Sequence, residues 1–77
     1  MPSFWFFWTA DRIEHLEEHG VRCEEFEEFV RDPQYTDRGR STGELTAEGE
    51  TSSGRYLFCV YRMIDDLMVE PITAYEH

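Results

Sequence analysis

Two histidines, His15 and His19, stand four residues apart. On a helix that spacing puts both rings on a similar side. Such a pair can transfer protons near neutral pH, and with a third donor it can hold a metal. The residues between them are Leu16, Glu17 and Glu18, so no HExxH signature is present and no metal is expected. The other chemistry-bearing set is arginine: all seven basic residues are arginine, and lysine is absent. Arg38, Arg40, Arg55 and Arg62 form the only local basic group. A guanidinium grips phosphate with a planar two-point fork and keeps its charge at any working pH. Arg40, Arg55 and Arg62 are therefore the candidate phosphate contacts, and His19 and His15 the candidate proton-transfer groups. Arg55 and Arg62 lie an odd number of residues apart, so an ideal strand turns them to opposite faces unless a bulge intervenes. The plainer alternative pairs these arginines with glutamates and leaves the histidines solvated around Leu16. No Gly-rich phosphate loop, nucleophile elbow or catalytic carboxylate pair is defensible, and no cofactor is expected.

The elements that position these side chains come from a chain of 77 residues, room for one small domain spanning 1–77. Seventeen acids against seven bases give a formal charge of −10, so the whole-molecule field repels phosphate and excludes nucleic-acid binding by bulk charge. No apolar run approaches the ~18 residues of a membrane span. Aromatic residues make up 16 %, enough to build a core that a disordered chain of this charge would lack. Cys23 and Cys59 have no metal-ligand spacing and read as two buried free thiols. No basic residue precedes the run Phe4-Trp5-Phe6-Phe7-Trp8 and no small-residue cleavage site follows it, so a cytoplasmic protein is expected.

The five aromatics predict a strand, buried on both faces or at an interface. Thr9 can cap a helix running to about His19, with Asp11 in its first turn, Gly20 as the left-handed residue after it, and Val21 as the apolar contact beyond. A second helix is predicted from Cys23 to Arg31, with Cys23, Phe26, Phe29 and Val30 on one face and Asp32-Pro33 as the stop. A strand is predicted within Ser41 to Thr51, with a turn at Ser52-Ser53-Gly54. The plainest strand runs from Arg55 to Met63. Asp65-Asp66 then turns the chain into a last strand from Leu67 to Tyr75, where Pro71 demands an edge or a bulge. The predicted fold is α+β, β-α-α-β-β-β, with two short helices packed on one face of a twisted antiparallel sheet. Acid belongs to the helices and the C-terminus. Residues 1–33 hold nine acids and three arginines, whereas residues 34–62 hold four of each.

Several segments, taken in order, resemble the BrnT family, small toxins of bacterial toxin–antitoxin pairs with a RelE-like ribonuclease fold. They are Trp8, the helix end His19-Gly20-Val21, Cys23-Glu24-Glu25-Phe26-Glu27-Glu28-Phe29, Asp32-Pro33, Gly54-Arg55-Tyr56-Leu57, Val60-Tyr61 and Ile72-Thr73-Ala74. The resemblance implies a metal-independent endoribonuclease acting on RNA and restrained by a basic antitoxin-like partner. Arg55 and Arg62 would then stabilise charge on phosphate, and His19 or His15 would carry the proton. Such toxins are commonly basic, and this chain is acidic. The alternative expectation is a non-catalytic interaction domain of the same fold. It would use its acidic helices on a basic partner, or pair with a second copy through Phe4–Trp8.

Overall fold

A computed structural model describes residues 4–38 and 43–76. The chain follows the order β1 (Trp5–Phe6), α1 (Ala10–Glu18), α2 (Cys23–Arg31), β2 (Tyr35–Arg38), β3 (Leu45–Glu50), β4 (Tyr56–Met63) and β5 (Met68–Glu76). It is an α+β fold in which both helices pack against one five-stranded sheet of order β1-β5-β4-β3-β2. The sheet has one strand more than the sequence predicts. β2 is four residues long and is held by pairing to β3 and by Gln34, whose side-chain amide bonds both the N–H and the carbonyl of Glu50. Pairing is antiparallel except at the edge, where β1 runs parallel to β5 and makes the sheet mixed.

Local chemistry explains the helices. The Thr9 hydroxyl accepts the Arg12 N–H and opens α1. His19 ends it, and Gly20 takes φ +74, a conformation costly to any residue with a Cβ. Gly20 N–H then bonds Glu17 and Val21 N–H bonds Leu16, the paired closure of a Schellman motif, with Val21 and Leu16 both fully buried. At the start of α2, Glu25 reaches back to accept the Arg22 N–H. Asp65 closes the β4–β5 turn by accepting the N–H groups of Leu67 and Met68.

The core is one cluster: Leu16, Val21, Phe26, Phe29 and Val30 against Ala47, Leu57, Cys59, Tyr61, Val69 and Ala74. Leu57, Cys59 and Tyr61 alternate along β4 with less buried neighbours, so one sheet face meets the helices and the other is open. The five N-terminal aromatics divide the same way. Phe4, Phe6 and Trp8 pack on the core, while Trp5 and Phe7 are exposed. Only Trp5 and Phe6 pair as an edge strand, and the run has one buried side rather than two. Trp8 donates its indole N–H to Glu27 and meets Phe26 edge-on, and Arg31 lies over the Phe6 ring, so β1 is tied to α2. Near Pro71 the register shifts: Val60 pairs Thr73 but Tyr61 pairs Pro71, leaving Ile72 as the extra residue of a bulge. Cys59 is buried and Cys23 only half-buried, so the expectation of two buried thiols holds for one of them.

Candidate functional site

Arg55 stands where the α1–α2 junction meets the end of β5. Its guanidinium donates to the Gly20 carbonyl at 2.7 Å and to Glu76 at 2.9 Å, with Glu25 3.8 Å away. Arg62 lies on the open sheet face between Glu44 at 3.9 Å and Glu70 at 3.7 Å. Seven residues of strand separate the two cations, roughly 23 Å at ~3.3 Å per residue. The bulge falls on β5, not between them, and they do not converge. Arg40 lies outside the described residues. His15 and His19 do come together, with ring centroids 4.9 Å apart and edge-on. His15 Nε2 is 2.9 Å from the Thr73 hydroxyl, on the stretch of β5 that no outer strand covers, and His19 is exposed at the end of α1. Among the described residues no three His, Cys, Asp or Glu side chains assemble as a metal site.

Beside His15 the structure places a residue that the sequence reading passed over. Arg12, one helical turn before it, donates to the Ile72 carbonyl at 2.7 Å. It is the one arginine with a described side chain that has no carboxylate within 4.0 Å; Arg22, Arg31, Arg55 and Arg62 all have one. Arg12 and His15 share a cleft of ≈ 470 Å³ at the start of α1, walled also by Phe7, Asp11 and Glu70. The three-residue spacing of Arg12 and His15 was the available signal.

Two further surfaces are built from the sheet and helices. A groove of ≈ 550 Å³ between α2 and the β3–β4 turn is lined by Glu24, Glu25, Glu28, Asp32 and Glu50, with Arg22 the only cation. The open sheet face is different in kind. Register lines up Tyr35, Glu48, Phe58 and Tyr75 across four strands. Phe58 stacks on Tyr75 at 5.1 Å and meets Tyr56 at 5.4 Å, and the Tyr56 hydroxyl donates to Glu48. Partial burial and that bond push the Tyr56 phenol up from its ordinary value. Burial, followed by the charges of Glu24, Glu27 and Glu17, raises Cys23; burial pushes Cys59 to about 12, so neither thiol is a ready nucleophile.

No protein-family model, curated protein or solved structure matches the chain.

Proposed function

We propose that this chain is a non-catalytic interaction domain that holds a basic protein partner in the cytoplasm. The observation carrying this reading is the engagement of the arginines. Arg55 and Arg62, the groups expected on phosphate, each sit between carboxylates at opposite ends of β4, where they tie elements together. A phosphate would have to displace those carboxylates against a net charge of −10. A basic partner gains from the same charge through steering and complementarity. The BrnT-like resemblance supplies the class of partner, a basic antitoxin-like protein. Purified protein incubated with mRNA at low salt should leave it intact. Binding to a basic protein should weaken steeply between ~50 and ~150 mM salt as the Debye length shortens. Cleavage abolished by Arg55→Gln and Arg62→Gln would overturn this reading.

One observation favours a second reading, the ribonuclease: among the described residues Arg12 has no carboxylate within 4.0 Å, and it shares its cleft with His15. In that reading Arg12 steadies the phosphate charge and His15 moves the proton. Cleavage that survives Arg55→Gln but is lost in both Arg12→Gln and His15→Gln would favour it over the interaction domain.

A further inference from the structure

Four of the six most exposed large apolar side chains, Trp5, Phe7, Tyr35 and Tyr75, lie on the side of the sheet away from the core; Phe58 stacks on Tyr75 and Phe7 walls the Arg12–His15 cleft, yet all four stay exposed. Tyr35 is 65 % and Tyr75 45 % exposed. Aromatic area of this kind, concentrated on one face of a small chain, is the mark of an interface. Alternation and register place Asp37, Glu44, Glu48, Glu50 and Glu70 on the same face, against Arg62 alone among the described residues. That balance chooses the occupant. A second copy laid face to face would set carboxylates against carboxylates, whereas a basic segment would complement them. The groove along α2 is also acidic, but Phe29 is its only aromatic. Charge alone steers an encounter, while aromatic anchors supply most of the energy of a complex.

The row Tyr35–Glu48–Phe58–Tyr75 sets a carboxylate between rings. That suits guanidinium better than ammonium, because a planar cation can lie on a ring while its edge donates to an acid. Resting on the interaction-domain reading, we propose that the open sheet face is the docking surface and that its occupant is an arginine-bearing segment of a basic partner protein. Its guanidinium groups stack on Tyr35, Phe58 and Tyr75 and donate to Glu48.

Amide resonances of the full chain, followed by NMR at low salt, give the test. The probes are two dodecapeptides, one alternating arginine with glycine and the other lysine with glycine. The arginine peptide should shift the amides of Tyr35, Glu48, Phe58 and Tyr75 and bind several-fold more tightly than the lysine peptide, because a planar guanidinium stacks on a ring while its edge donates to an acid. Tyr35→Ala with Tyr75→Ala should weaken it roughly tenfold, and Glu24→Gln with Glu28→Gln should change it less than about twofold. Shifts confined to Glu24, Glu28 and Asp32 would move the surface to the α2 groove, overturning this assignment while the interaction reading stands. Equal affinity for both peptides on the sheet would overturn the role of the rings. Self-association broadening the same amides without peptide would make a second copy the occupant. No binding of either peptide anywhere would defeat the interaction-domain reading itself. Should the tyrosine variants lose their fold, the mapping on the unaltered chain still decides the surface.

Discussion

Gly49 shows how one missing methyl group sets a distance between layers. It lies buried in β3 where α2 crosses, and a Cβ there would stand 2.7 Å from Phe29 Cε1 and 2.8 Å from Gln34 Cδ. Phe29 is core and Gln34 clamps Glu50, so neither yields easily. Gly49→Ala should cost about 2 kcal/mol by overpacking, near 10 °C in Tm, readable by thermal circular dichroism. A melt unchanged within a degree would mean that α2 is free to move off the sheet. Cys59 makes a second residue-scale prediction. Burial, with a smaller contribution from Glu25, raises its thiol from 9.0 to about 12. The folded state therefore favours the protonated form. Stability from this source is complete below the unfolded value and is lost as pH climbs from about 9 towards about 12. Urea midpoints of the native chain should fall across that window more steeply than those of Cys59→Ala, and parallel curves would contradict the assigned burial. Native Cys59 should also resist alkylation that Cys23, half-buried, undergoes slowly.

Between elements, the arginines are the ties. Arg55 connects the α1–α2 junction, α2 and the end of β5, with 29 % of its side chain exposed. Arg62 spans β4 and β5 on the surface with 49 % exposed, its ion pairs at 3.7 and 3.9 Å. Arg55→Gln should therefore destabilise by about 1–2 kcal/mol, because a charged donor to a backbone carbonyl is lost. Arg62→Gln should cost less than about 0.5 kcal/mol, as exposed ion pairs do. Equal losses in denaturant titration would refute the distinction. Both helices, the β4–β5 turn and the bulge near Pro71 were legible in the chain, because caps, stops and proline act within a few residues. β2 was not. Tyr35–Arg38 has no local turn or capping signal, and it is a strand because β3 and Gln34 supply its bonds. The aromatic run was legible as a strand but its faces were not, since all five residues are apolar and only the position of α2 selects Phe6 and Trp8 as the buried side.

For the whole molecule, charge is the dominant quantity. At −10 the folded chain repels itself more than the expanded one does. Raising salt from ~10 to ~150 mM shortens the Debye length from ~30 to ~8 Å and should raise Tm by several degrees. A falling Tm would show that the exposed ion pairs outweigh that repulsion. The same salt increase should weaken a basic partner's binding, so intrinsic stability and complex stability should respond in opposite directions. Among the described residues no helix is long and apolar enough to cross a membrane.

Residue order by itself determined the α+β class, the two helices with their ends, the last two strands and the acidic field. These follow from capping, periodicity and formal charge, which are local or additive. Tertiary structure decided which carboxylate meets which arginine, that Arg55 and Arg62 never converge, that Arg12 joins His15 across from β5, and that Tyr35, Phe58 and Tyr75 fall in one row. The aromatic row depends on strand register between residues up to forty apart, and the bonds of Arg12 and His15 to β5 join residues some sixty apart. A one-residue slip would turn every side chain in the row to the other face.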